Sequence, residues 1–229
     1  MKKRASQKRA TETSTKLTRA KVIRAGLEIV RTDTPEDLTM RSVAKHLGCG
    51  TMSLYYHVKN REDLLQGMLD QVAEDMDHPP VLSDPVQELL GIFMLLHATF
   101  HREPWVIDLI IGGTRGSERI LPLIERALAA FDALGLDART GWQTYHMTLD
   151  YCVGEAMVAR ARHEARQRAA TAKTAPQPPL PDAKDFPYCM TAMGFMQEGR
   201  NIFQVNLARF LENTAAAHHS NRSQTSDKG

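Results

Sequence analysis

Residues 39–60 read TMRSVAKHLGCGTMSLYYHVKN, and the order of capping, apolar and hydroxylated residues in that run decides the fold. Thr39 is a helix-capping residue placed directly before MRSVAKHL, where Val43, Ala44 and Leu47 recur at the spacing of one helix face. Gly48 then stops that helix, as a residue free to enter the left-handed region does. Two residues later GTMSLYYHV reads as helical again, with Leu54 and Val58 four apart and directed inward. Two short helices joined by a tight glycine turn form the helix-turn-helix pattern. On a wheel of about 100° per residue, Met52, Tyr56 and Lys59 fall opposite Leu54 and Val58, with Ser53 and Tyr55 on the flanks. A small core has no use for such a surface. The major groove of a duplex does, because hydroxyls reach phosphates and base edges while rings and thioethers pack on thymine methyl groups. The plainer reading is two packed helices of an all-α domain. Against it stand a basic N-terminal arm and the cations Arg41, Lys59 and Arg61, all placed near the same surface.

Charge points the same way. The chain of 229 residues carries a net charge of only +2, unevenly spread. Residues 1–70 hold fourteen Lys/Arg against eight Asp/Glu, a net of +6, and residues 71–229 hold fifteen against nineteen, a net of −4. A basic head on a mildly acidic body is the pattern of a polyanion-binding module carried by something else. Cys49, Cys152 and Cys189 are odd in number and far apart, so a disulfide framework is not expected. No apolar run approaches the roughly eighteen residues of a membrane span, and the basic start MKKRASQKRATETSTK has no apolar signal core. A cytoplasmic protein without a membrane partner is expected.

The periodicity elsewhere is helical throughout, with no strand alternation and no internal repeat. Residues 1–17 read as a basic flexible arm. Thr18 caps a first helix with Val22, Ile23, Gly26, Leu27 and Val30 on one face, ended by the turn around Pro35. Asn60, with Asp63 three residues on, caps a fourth helix that HPP at 78–80 ends. Asp84-Pro85 opens a helix to about Arg102, Pro104 starts a short segment, and GGTRG at 112–116 breaks it. A further helix, starting near Leu121 because of Pro122, runs to Gly135, and Asp137 caps the longest helix, to about Arg168. The stretch TAKTAPQPPLPDAKDFP holds five prolines and reads as a loop over 169–187; helices near 185–195 and 198–216 follow. The expected organisation is an arm at 1–17, a helix-turn-helix head at 18–64, a helical body at 65–216 and a disordered tail at 217–229.

LTMRSVAKHLGCGTMSLYYHVKNREDLL, residues 38–65, resembles the DNA-binding domain of TetR-type (tetracycline-repressor-like) transcriptional regulators, with LYYHVKNREDLL closest to the tetracycline-repressor branch. The resemblance covers residues 18–65 and continues weakly to FQVNLARFLENTA. It implies that Thr39 and Arg41 contact phosphate or a nearby base, and that Thr51 and Ser53 face base edges and phosphate. It further implies that Tyr55 and His57 donate to phosphates, Tyr56 packs on bases, and Lys59 and Arg61 close a phosphate clamp. Gly50 and Met52 stand where the tetracycline-type repressors have a carboxylate and a proline, so a different base preference is expected. A protonated His57 would bind phosphate more strongly.

The resemblance also implies that the body senses a ligand and dimerises, the longest and last helices forming a four-helix bundle between subunits. The broad stripe Ile202, Phe203, Val205, Leu207, Phe210 and Leu211 supports a second partner surface. Candidate pocket residues are His97, Phe100 and His101 on one helix and Trp142, Tyr145, His146 and Asp150 on another, since ring walls and a few polar groups at helical spacing suit a small amphipathic ligand. Phe93 and Phe100 suit a plain core better than a pocket wall. His97 and His101 at i, i+4 form half a metal site, but lack an HExxH glutamate and a defined third ligand, so no metal or cofactor is expected. No nucleophile elbow, paired-carboxylate motif or nucleotide loop appears, which argues against an enzyme. The expectation is a homodimeric, ligand-responsive repressor on a near-palindromic double-stranded operator, released by a small-molecule effector that shifts the 60–77 helix. Alternatives are a DNA-binding dimer without effector and a small all-α metal protein using His97 and His101.

Overall fold

The computed structural model describes residues 17–32, 37–113, 116–171, 184–195 and 202–226, and all regular structure among them is helical. The arm expected at 1–17 lies almost wholly outside them, as do positions 172–183 of the proline-rich segment. Among the described residues ten α-helices run in the order α1 (Arg19–Thr32), α2 (Met40–His46), α3 (Thr51–Leu54), α4 (Arg61–Glu74), α5 (Pro85–Arg102), α6 (Trp105–Ile111), α7 (Leu121–Ala133), α8 (Ala138–Thr171), α9 (Pro187–Phe195) and α10 (Ile202–Ser226). The chain divides into two compact units. One runs through Asp75 and includes Gly116–Glu118; the other takes the rest from Met76. The sequence places the head's end at residue 64, but α4 packs along its length on α1 and belongs wholly to the first unit.

In that unit α1 buries Val22, Ile23, Leu27, Ile29 and Val30 against Leu64, Leu65, Met68, Leu69 and Val72 of α4. The two helices approach closely enough that a Cβ at Gly26 would lie 2.8 Å from Met68 Sδ, and one at Gly67 2.8 Å from Ile23 Cδ1. Leu38, Val43, Leu54 and Val58 close the core beneath α2 and α3. Thr39 caps α2 as its sequence position requires, accepting from Ser42 N at 3.0 Å while Ser42 Oγ accepts from Thr39 N at 2.9 Å. Gly48 turns the chain into α3 at φ 64°, a conformation costly for a residue with a side chain.

The second unit is built around α5, which packs against α6, α7, α8 and α10. Phe93 sits at its centre, with ring centroids 6.4 Å from Phe131 and 5.7 Å from Tyr145. Leu207 and Leu211 of α10 and Cys152 and Ala156 of α8 are buried in the same unit. Asp84 caps α5 through Val86 N and Gln87 N, and Pro85 occupies its first turn. Glu88, almost fully buried, receives Arg126 Nε at 2.8 Å and Leu82 N at 2.9 Å, while Arg126 Nη1 donates to the Pro79 carbonyl at 3.1 Å. This network fastens the segment 79–82 to α5 and α7.

Three elements differ in length from the sequence reading. α3 ends at Leu54 rather than continuing to Val58. α8 runs on through Ala169 and Ala170, strong helix formers, to Thr171. α10 extends beyond the expected end near 216, through Ala215–Ala217 to Ser226, so most of the stretch read as a disordered tail is helical.

Leu54 is the residue by which α3 is seated. Leu54→Ala should lower the unfolding free energy of the head by about 3 kcal/mol, the typical cost of an unfilled leucine cavity, read as a lower urea midpoint at unchanged slope.

Candidate nucleic-acid interface

α3 has only four residues, so its orientation must come from what surrounds it. Gly50 precedes it without a side-chain cap, Tyr55 closes it, and the amides of His57 and Val58 both donate to the Leu54 carbonyl, at 2.8 and 2.9 Å. Beyond that turn the chain cannot remain helical. The Lys59 amide, which a continued helix would send to Tyr55, donates instead to Asp63 Oδ2 at 2.8 Å. Asn60 is extended, and its Oδ1 accepts Asp63 N at 2.8 Å to start α4.

Asp63 also holds α1. Arg19 Nη2 donates to Asp63 Oδ1 at 2.7 Å and Nη1 donates to Oδ2 at 3.0 Å, a two-pronged charge-assisted pair. Arg19 Nη1 donates further to the His57 carbonyl at 2.9 Å. One guanidinium and one carboxylate thus connect the start of α1, the end of the α3 turn and the start of α4. The Arg19 fork, reinforced by the Lys59 amide and opposed by partial burial, holds the Asp63 carboxyl down at about 2.

On this scaffold Met52, Tyr55 and Tyr56 are turned out, with 75%, 46% and 88% of their surface exposed. Arg41 and Lys59 are exposed beside them, and Thr51, Ser53 and His57 are half-buried. The face therefore offers three large side chains, two cations and two hydroxyls. Thr39 and Arg61 have a second occupation. The Thr39 hydroxyl is the cap of α2, and Arg61 Nε donates to the Leu38 carbonyl at 2.8 Å, tying α4 to the segment before α2. His46 Nε2 and Glu28 Oε2 meet at 2.8 Å and bind α2 to α1.

The seven residues read as pocket candidates do not form one group. Trp142, Tyr145 and His146 stay together on α8, Trp142 stacked on Tyr145 at 5.9 Å and His146 edge-on to Trp142 at 4.3 Å. Burial pushes the Tyr145 phenol up to about 12, while Trp142, His146 and Asp150 face outward. Phe100 is core, buried on the inner face of α5. His97 and His101 meet each other and Glu155 of α8, and the ring of Phe203 from α10 stacks on His97 at 3.7 Å. The sequence reading does not single out Arg19 or Glu155, and it places Phe203 only in the apolar stripe of the last helix; each makes its contact across more than forty residues, where local spacing carries no signal.

Residues 88–213 match the family model described as Tetracyclin repressor-like, C-terminal domain. The HTH-type transcriptional repressor DrrR1 of Streptomyces coeruleorubidus is 35% identical over 119 residues, covering 47% of this chain and 43% of that protein, so the match spans less than half the relative's length. An HTH-type transcriptional regulator of Saccharopolyspora erythraea is 27% identical over 162 residues, 69% of this chain and 68% of that one. Apo ActR from Streptomyces coelicolor has a TM-score of 0.69 at 21% identity, covering 91% of this chain and 99% of that one. ActR in complex with actinorhodin has a TM-score of 0.68 at 21% identity, covering 89% and 97%. At that identity the structural likeness is one of fold.

Because the Asp63 carboxyl is held below its ordinary value of 3.8, the Arg19–Asp63 pair contributes stability that is fully present above about pH 4 and is lost as pH falls toward about 2. Asp63→Asn should remove that step. Between pH 5 and pH 2.5 the native protein should lose on the order of 1 kcal/mol more than the variant, the half-exposed arginine being screened by water. Denaturation curves at the two pH values measure it; equal losses would remove the pair from its proposed place.

Proposed function

The chain belongs to the tetracycline-repressor-like family, its C-terminal family model matching more than half of the residues, and on that premise we propose a cytoplasmic, homodimeric transcriptional repressor released from DNA by a small-molecule effector. The observation that carries the DNA half is the outward face of Met52, Tyr55 and Tyr56, flanked by Arg41 and Lys59, on a head rigidly held from behind. Rings and a thioether of that exposure would be costly to leave in water on a small domain and suit base edges and thymine methyl groups. Thr51, Ser53 and His57 lie at the rim, where hydroxyl and ring-nitrogen donors reach phosphate. Thr39 and Arg61 act by fixing α2 and α4 beside that face.

Dimerisation is assigned to α8 and α10. Met147, Tyr151 and Val158 of the one, and Ile202 and Val205 of the other, are exposed apolar side chains on long helices. A two-fold axis through such a bundle places two recognition helices on successive major grooves, about 34–36 Å apart, over a near-palindromic operator. The effector is assigned to the second unit and is amphipathic, the exposed Trp142 ring offering it stacking surface and His146 a polar group beside it. ActR, solved both apo and with actinorhodin, supports a ligand-responsive body of this fold. Effector binding favours a dimer whose heads no longer match operator spacing.

Operator DNA recovered by in vitro selection on the purified protein provides the probe. Arg41→Ala combined with Tyr56→Ala should weaken its binding by more than about 100-fold, the sum of a lost phosphate contact and a lost base contact. The circular dichroism spectrum and unfolding midpoint should stay unchanged, both side chains being exposed. Undiminished binding by a folded double variant would end the DNA-binding assignment.

A further inference from the structure

We infer that His97, His101 and Glu155 form a binding site for one divalent transition-metal ion, with Zn2+ the best fit, joining α5 to α8. His97 and His101 are one helical turn apart on α5, so both Nε2 atoms can face one point. Glu155 is supplied from α8, more than fifty residues away in sequence, and is the third ligand that the histidine pair lacks locally. His97 Nε2 lies 2.5 Å from Glu155 Oε2, His101 Nε2 lies 3.0 Å from the same oxygen, and the two ring nitrogens are 3.0 Å apart. One donor atom from each residue falls within 4.8 Å of the other two.

Protons alone serve this triangle poorly. If both rings donate to the one carboxylate oxygen, two N–H groups face each other at the Nε2–Nε2 contact. If one ring turns acceptor there, its bond to Glu155 is lost. A cation resolves the conflict, because all three atoms then act as lone-pair donors. Zinc takes imidazole nitrogen at about 2.0–2.1 Å and carboxylate oxygen at about 2.0–2.2 Å, and the three donor atoms lie close enough together to share one ion. Two imidazoles and a carboxylate suit Zn2+ or its borderline neighbours rather than Ca2+ or Mg2+, which prefer oxygen throughout.

The surroundings are those of a site with an entrance. His97 is only 14% exposed, whereas His101 and Glu155 keep 39% and 31% of their side-chain surface, so a hydrated ion reaches the triangle from their side. Phe203 stacks on His97 with the planes 9° apart, and Tyr151 stacks on Phe203 at 5.0 Å, fixing the ring's orientation before the ion arrives. Three protein ligands leave a fourth position open to water or to an oxygen donor of a small molecule. Bound metal therefore ties α5, α8 and the Phe203 end of α10 into one rigid corner. None of these residues belongs to the DNA-facing surface, so the site stands whether or not the chain binds an operator.

Untagged full-length protein, stripped with chelator and titrated with Zn2+ alone in a calorimeter at neutral pH, tests the site. One equivalent per chain is expected, with affinity falling as pH is lowered because protons compete for the ring nitrogens. His101→Asn and Glu155→Gln should each weaken that equivalent by more than the ~10–100-fold that an outer-layer substitution costs, with helicity retained. The pair His218→Asn/His219→Asn, which removes the adjacent histidines near the C-terminus, should leave it intact. A protein that binds no equivalent, or an equivalent that survives either His101→Asn or Glu155→Gln, or one that disappears with His218 and His219, overturns the assignment and leaves a hydrogen-bonded His–Glu cluster.

Discussion

The head depends on the contact between Arg19 and Asp63. A recognition helix of four residues has one internal turn and almost no stability of its own, because nucleating a helix fixes several residues for a single hydrogen bond. Its direction is imposed from outside, by Leu54 and Val58 beneath it and by the carboxylate that gathers the Lys59 amide, the Asn60-capped turn and the Arg19 guanidinium. The guanidinium continues to the His57 carbonyl, so the turn after α3 is held at both its peptide donor and its peptide acceptor. Rigid backing of this kind lets Tyr56 and Met52 stand almost fully in water without the helix fraying. A face preorganised in this way loses little conformational entropy on meeting a partner.

The second unit solves a different problem. Its central helix α5 carries core on one side, through Leu89, Phe93, Leu96 and Phe100, and chemistry on another, through His97 and His101. Glu88 on the same helix is a buried anion with a cation, a backbone amide and two proline carbonyls gathered around the pair. Breaking one partner of such a pair is costly because the other charge stays buried. The helix thus combines apolar packing, a fixed segment at 79–82 and a polar corner with α8, in successive turns.

Several features were legible directly. Thr39, Asn60 and Asp84 cap where their types and positions say, Gly48 turns left-handed, and Pro122 falls in the first turn of α7. The outward Tyr55 and Tyr56 follow from the period that buries Leu54. The end of α3 was not legible, since nothing in LYYHVKN forbids a helix through Val58 until Asp63 captures the Lys59 amide. Nor was the scattering of the pocket candidates. Periodicity places Phe100 and His101 side by side, but only the packing of α5 sends one into the core and the other to Glu155.

What the sequence alone determined is therefore whatever is decided within one helical turn: caps, breaks, the buried and exposed sides of each helix, and the kind of surface presented at residues 51–59. Those interactions connect residues three or four apart, and their partners are written next to one another. The tertiary structure decided the pairs made at a distance: Arg19 with Asp63, Glu88 with Arg126, His97 and His101 with Glu155. Such pairs depend on crossing angle, register and rotamer, which many compatible sequences share and which become definite only when whole helix faces pack.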